Sequence, residues 1–297
     1  MSILVGTSSW TDPTLLKSGW YPSEVSTAEK RLVFYAQRFP VVEVDSTYYG
    51  MPSERNAALW AERTPAHFTF DIKAFALLTH HPANVRGLPL DLRDGIPEGK
   101  SRVYMKDLPA AAVEEVWDRF RRALMPLHSA GKLGAVFFQF PEWFVPSNDN
   151  LDYLETLPGR LPDYRIGVEF RRRTWLEPVE RAERTLARLE ELGMTYVCVD
   201  MPQGFDSSLP PVAAVTNDRL AVVRFHGRNT TNWKRKGITT AERFDYLYSK
   251  EQLQNWTPRL EALAKQAREV HVLFNNCYGD KAVRNATQLA GLVAQDE

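Results

Sequence analysis

Cysteine is nearly absent: Cys198 and Cys277 are the only two among 297 residues. Both fall in apolar, strand-like runs, so a reduced, cytoplasmic chain is expected rather than a disulfide framework. An excess of one charge is missing too, because 37 Lys and Arg balance 37 Asp and Glu. That balance gives no general attraction to nucleic acid or to an anionic membrane and leaves only local basic patches to consider. No apolar run approaches the ~20 residues that cross a bilayer, and no basic stretch followed by an apolar one marks a secretory leader. A Gly-x-Gly-x-x-Gly turn and a Walker-type loop are also lacking. Gly6-Thr-Ser-Ser-Trp10, after the first apolar run, is neither.

What is present is a regular alternation. Eight short apolar runs read as strands: Ile3–Gly6, Val41–Asp45, Phe68–Lys73, Ala135–Phe140, Ile166–Phe170, Tyr196–Asp200, Ala221–His226 and His271–Asn275. Each ends at a polar cluster, as buried parallel strands do. Amphipathic stretches lie between them. Ser26-Thr-Ala-Glu29 has the form of a capping box and opens a helix to about Phe39. Val113, Val116, Trp117, Phe120, Leu124 and Leu127 recur at helical spacing. This order predicts an α/β fold: one (β/α)8 TIM-type barrel spanning residues 1–297 as a single domain. A polar, turn-rich insertion at about 77–109 follows the third strand and is expected to hang over the active face as a lid. His80-His81 opens it.

Strand periodicity of two divides each run into a face toward the helices and a face toward the barrel axis. The apolar sets are assigned outward: Val42 with Val44, Phe70 with Ile72, Phe138 with Phe140, Val168 with Phe170, Val197 with Val199, Val223 with Phe225, and Val272 with Phe274. The inward sets are then Glu43 and Asp45; Asp71 and Lys73; Gln139; Glu169 and Arg171; Asp200; Arg224 and His226; and Asn275. Nearly all of these stand in the last turn of a strand, where barrel enzymes keep their catalytic groups.

The same residues resemble the YecE-like family, domain of unknown function 72. The resemblance runs nearly end to end, through Gly6-Thr-Ser-Ser-Trp10, Val42-Glu-Val-Asp-Ser-Thr-Tyr-Tyr49 and Phe68-Thr-Phe-Asp-Ile-Lys73. It continues with Thr79-His80, Gln139-Phe-Pro141, Glu169-Phe-Arg171 and Trp175, then Arg224-Phe-His-Gly227 and Phe274-Asn-Asn276. The chain departs from the family's usual pattern around Pro82–Leu108. Membership implies a barrel related in fold to sugar isomerases and to endonuclease-type repair enzymes, with no assigned reaction. Fold alone does not carry an activity.

The ring suits acid–base chemistry on a small anionic or polyhydroxylated, sugar- or phosphate-like substrate. Glu43, Glu169 and Asp200 are the candidate acids and bases, with Lys73 or His226 facing a developing oxyanion. Arg171 and Arg224 suit a phosphate or carboxylate, while Asp45, Gln139, Asn275 and Asn276 would read hydroxyls. Trp10 and Tyr48 offer faces on which a ligand can stack. A divalent metal is conceivable on the carboxylates, but fixed cations in the ring oppose it, and no metal or other cofactor is assigned. Lys73 either pairs with Asp71, Asp45 or Glu43 or acts as an amine nucleophile. Two other classes stay open, a nucleic-acid-binding or endonuclease-like barrel and a ligand-binding barrel without catalysis. For the first, Gly227–Gly237 places Arg228, Lys234, Arg235 and Lys236 around Trp233. No membrane partner is expected.

Overall fold

Val, Ile and Phe crowd eight short runs, and in the computed structural model, which describes residues 2–94 and 96–294, those runs close on themselves. The strands are β1 Ser2–Thr7, β2 Val41–Val44, β3 Thr69–Lys73, β4 Leu133–Gln139, β5 Ile166–Glu169, β6 Thr195–Asp200, β7 Leu220–Phe225 and β8 Glu269–Phe274. All are parallel, each pairs with its neighbours in sequence, and β1 closes on β8. Helices ring this barrel, giving the (β/α)8 TIM-type architecture. Every expected strand is present, with ends shifted by a residue or two.

Helices Glu54–Glu62, Ala110–Ser129, Asn148–Arg160 and Val179–Glu191 follow β2 to β5, and Lys281–Val293 follows β8. Val116, Trp117, Phe120, Leu124 and Leu127 are the buried stripe of Ala110–Ser129, as their spacing predicted. The helix before β2 spans Ala28–Ala36, and its cap is Thr27 rather than Ser26: the Thr27 hydroxyl accepts from the Lys30 amide at 3.2 Å. The connection from β6 to β7 departs from the pattern. Among its described residues, Met201 to Arg219, there is no helix.

The insertion after β3 packs its apolar residues into the main hydrophobic core. Ala83–Asn84 and Arg102–Val103 pair as an antiparallel ribbon, with Leu77, Leu78, Leu88, Leu92 and Val103 buried. Short 3₁₀ turns stand at Ala76–Thr79, Val85–Gly87, Leu90–Arg93 and Met105–Asp107.

Layers of side chains fill the barrel axis. Toward the amino ends of the strands, Asp71 accepts from the Ala135 amide at 2.8 Å and meets His271 Nδ1 at 2.9 Å. Glycine is required at position 134, since a Cβ there would stand 2.2 Å from Asp71 Oδ1. Above lie Phe137, Val197, Val222 and Leu273, all fully buried. This apolar layer is a dry floor for the polar residues at the carboxyl ends of the strands.

Candidate active site at the barrel mouth

Arg224 is the centre of the upper layer. It stands one residue from the end of β7, next to Val199 of β6, and points to the barrel axis above Phe137. Its Nε and Nη2 donate to both oxygens of Glu43 at 2.7 to 3.0 Å, and its Nη1 donates to Glu169 and, at 3.2 Å, to Gln139. Arginine, Glu43 and Glu169 are each no more than 1% exposed. Ser8 completes the shell of Glu43, its hydroxyl donating at 2.6 Å. Desolvation of two carboxylates is tolerable here because a planar guanidinium reaches both in forked geometry.

Glu169 has a second cation. Arg171 Nε donates to its Oε1 at 2.5 Å, and Arg171 Nη2 reaches Gln139 at 3.1 Å. Burial alone would raise the Glu169 pKa, but the charges of Arg171 and Arg224 outweigh burial and hold it well below the ordinary range. His226 lies alongside, its Nε2 3.1 Å from Glu169 and its Nδ1 2.9 Å from the Asn275 amide nitrogen. Burial and the charge of Arg171 push the imidazole down to about 3, so it is neutral at physiological pH. With the amide nitrogen of Asn275 donating to Nδ1, Nε2 is left facing both Glu169 and, at 3.2 Å, Arg171 Nη2. Seven expected residues thus form one closed network, in which both oxygens of Glu43 and of Glu169 are engaged and neither carboxylate is free to act as a base.

Three groups of the mouth are left without partners. Lys73 closes β3 and lies 4.8 Å over the Tyr48 ring. Among the described residues its ammonium makes no ion pair and no hydrogen bond, while its carbonyl accepts from the Thr47 hydroxyl at 2.6 Å. Burial and the charge of Arg224 lower its pKa to about 8. Asp45, just past β2, is likewise unpaired, and burial with the charge of Glu43 raises it to about 6. The third is Arg171 Nη1, which has no acceptor although the other two guanidinium nitrogens are used. Lys73, Asp45, Tyr48, Gln139 and Asn275 are all half-buried, so solvent reaches this part of the ring.

Periodicity missed several members. Ser8 stands two residues after the inward Gly6, and the alternation that placed Glu43 would have found it. His81 is the more instructive case. His80 takes a left-handed backbone with φ of 61° and turns its ring onto Tyr153 at 4.3 Å. His81 is thereby sent the other way, against Tyr48 at 5.3 Å and Trp143 at 5.7 Å. Burial and the nearby Lys73 charge lower its pKa to about 3. Trp233 comes in from the connection after β7, its ring centroid 5.8 Å from the Arg171 guanidinium.

Three expected residues lie elsewhere. Asp200 pairs in register with Phe225, on the outer side of the sheet, and accepts from Trp256, Tyr248 and Arg228. Val197 and Val199, assigned outward, face the barrel axis instead. Trp10 packs edge-on against Trp60 at 5.8 Å and Phe70 at 6.3 Å, outside the barrel. Asn276 donates to the Tyr246 carbonyl and to Asn285 Oδ1, both at 2.9 Å, and ties the last helix to the end of β8. The basic segment 227–237 is partly neutralised: Arg228 pairs with Asp200 and Lys234 with Glu142. Among the described residues no group of three or more His, Cys, Asp or Glu side chains could hold a metal ion. Glu43 and Glu169 are occupied by Arg224 and Arg171. No helix is long and apolar enough to cross a membrane.

A family model described as "Protein of unknown function DUF72" matches residues 4–297. The UPF0759 protein YunF of Bacillus subtilis (strain 168) is 32% identical over 294 residues, 98% of this chain and 94% of that protein. The UPF0759 protein YecE of Escherichia coli K12 is 25% identical over 201 residues, 67% of this chain and 59% of that one. Among solved structures, a DUF72 family protein from Enterococcus faecalis V583 superposes with a TM-score of 0.79 at 26% identity, covering 98% of this chain and 95% of the other. A second, from Thermotoga maritima MSB8, gives 0.77 at 30% identity, covering 99% and 100%.

Proposed function

The chain belongs to the DUF72 family, and from that premise we propose that the barrel mouth performs acid–base chemistry on a small anionic or polyhydroxylated substrate. One observation carries the reading. The ring holds more ionisable groups than its own pairing uses, and the surplus is gathered on one side. Glu43 and Glu169 are neutralised by Arg224 and Arg171, whereas Lys73, Asp45 and the Nη1 of Arg171 are left with unspent hydrogen-bonding capacity. Unpaired ionisable groups with shifted pKa values are costly to keep, and they concentrate at functional sites.

The division assigns roles. Arg171 Nη1 and Lys73 supply positive charge for a phosphate, carboxylate or developing oxyanion. Asp45, titrating at about 6, can give and take a proton near neutrality, as a general acid–base group must. Asn275 and Gln139 are placed to read hydroxyls, and Tyr48 offers a ring face. Glu43, Glu169, Arg224 and neutral His226 form the fixed electrostatic frame on which Arg171 is held. Substrate enters beside His81 and Trp143.

A thermal-shift screen of phosphorylated, carboxylated and polyhydroxylated metabolites tests the reading. At a ligand concentration of 100 times Kd, the wild type gains about 2.7 kcal/mol. Lys73→Met and Asp45→Asn should lose the shift. No stabilising ligand for the wild type, or an equal response in all three proteins, would sink the proposal.

A further inference from the structure

We propose that Lys73 is a covalent nucleophile, forming an imine with the carbonyl group of an anion-bearing aldehyde, ketone or keto acid, with Asp45 as its proton donor and acceptor. The proposal rests on the reading of the mouth as a small-molecule site and adds a reaction class to it.

The structure removes the commonest structural role for an inward lysine. Of the partners open to it in sequence, Asp71 is engaged by His271 and the Ala135 amide, and Glu43 by Arg224 and Ser8. Asp45 makes no ion pair. Glu169 is filled by Arg171, Arg224 and His226. A second lysine of the chain provides the contrast. Lys132, 6% exposed, donates to the Thr64 carbonyl at 2.6 Å and its hydroxyl at 3.1 Å, and to the Ala61 carbonyl. That is a lysine kept for structure, with its donors filled. Lys73 stands over an aromatic face with none filled, within reach of solvent.

The surroundings fit the chemistry. Arg224, Glu43, Asp45 and Glu169 act on Lys73 through the ring, the Tyr48 ring lies against it, and its charge is felt by His81. The balance sets its pKa at about 8, so roughly a tenth of the amine is neutral at pH 7. Arg171 Nη1 can hold the anionic group of the ligand while Lys73 meets its carbonyl.

The step balances as follows. The neutral Nζ lone pair attacks the carbonyl carbon, a C–N bond forms, and the carbonyl oxygen takes the proton of the Asp45 carboxylic acid. The nitrogen then gives one proton to the Asp45 carboxylate, leaving a neutral carbinolamine. Asp45 returns that proton to the hydroxyl, which leaves as water while the nitrogen lone pair closes the C=N bond. The products are an iminium cation, water and the Asp45 carboxylate. No oxidant, reductant or metal is needed.

The test incubates the full chain with pyruvate, glyoxylate or glyceraldehyde 3-phosphate in the presence of cyanoborohydride, followed by peptide mass mapping. The expected result is a stoichiometric reduced adduct on Lys73 with at least one probe, forming fastest near pH 7 and more slowly at pH 5 and pH 9, because the step takes a neutral Lys73 and a protonated Asp45. Lys132 stays unlabelled, and Lys73→Met carries no stoichiometric adduct. Asp45→Asn should slow the labelling about a hundredfold, the lower end of the range for a lost acid–base group. An unchanged rate would overturn its role. If metabolites shift the melting point but Lys73 is never labelled, the imine is wrong and the binding reading stands. If neither occurs, both fall.

Discussion

The Asp200 carboxylate accepts the indole N–H of Trp256 at 2.8 Å on the outer side of β6. Tyr248 donates to the same carboxylate at 2.8 Å, and Arg228 closes a fork at 2.8 and 2.6 Å. Asp200 is therefore a joint between β6 and the segment leading to β8. Asp200→Asn would leave one of these donors facing another donor. Urea unfolding should show a loss of about 2–4 kcal/mol, the range for breaking a buried charge-assisted cluster. The metabolite-induced thermal shift should persist. Its disappearance in a well-folded variant would return Asp200 to the site.

That placement marks where the sequence stopped being readable. Alternation splits a strand into two sets but does not say which set faces the axis; polarity decided that, on the assumption that the outside is dry. The assumption holds for β2 to β5, where helices cover the outer face, and Glu43, Lys73, Gln139 and Glu169 all point as expected. After β6 no helix follows, and Trp256, Tyr248 and Arg228 cover the strand with hydrogen-bond donors. A carboxylate can be satisfied there, so polarity pointed the wrong way. Register with β7, which aligns Val199 with Arg224, is a three-dimensional fact. Trp10 failed for a related reason: an aromatic after a strand serves packing as well as stacking. Partner choice was equally hidden, since the 181-residue separation of Arg224 from Glu43 leaves no local trace.

Arg224 should be the least replaceable residue of the mouth. Removing it strands two fully buried carboxylates, and leaving one partner of a buried pair uncompensated costs about 3–5 kcal/mol. Arg224→Leu is expected to lose at least that much in urea. Arg224→Lys should rescue little, because an ammonium cannot reach Glu43 and Glu169 in forked geometry. Recovery of near wild-type stability by lysine would contradict the geometry.

Lys73 and Lys132 should respond in opposite ways. Lys73→Met removes an unpaired cation from a partly desolvated place, so its melting temperature should equal or exceed that of the wild type while ligand response is lost. Lys132→Met strands two carbonyl oxygens and should cost about 1–3 kcal/mol. Calorimetry of the two variants separates a lysine kept at the expense of stability from one that supplies it.

The pH dependence of Asp45 has a definite sign. Its pKa is raised from an ordinary 3.8 to about 6 in the folded chain, so folding favours the protonated form. Below about pH 4 the side chain is protonated in both states and contributes nothing. Between about pH 4 and 6 the unfolded chain ionises first, so stability falls as pH rises. Above about pH 6 the deficit is constant. A two-unit shift corresponds to ~3 kcal/mol, and solvent access at this half-buried position reduces that to about 1–2 kcal/mol. Asp45→Asn should therefore match the wild type at pH 4 and be more stable by that amount at pH 8, in urea titrations at each pH. His226 acts in the opposite direction. Its pKa is lowered to about 3, so its contribution is lost as pH falls from about 6.5 toward 3, in both proteins alike. The acid limb should consequently be shared and the neutral plateau should differ. A variant less stable than the wild type at pH 8 would mean that the Asp45 carboxylate is paired in solution, and its place as the free acid–base group of the mouth would be lost.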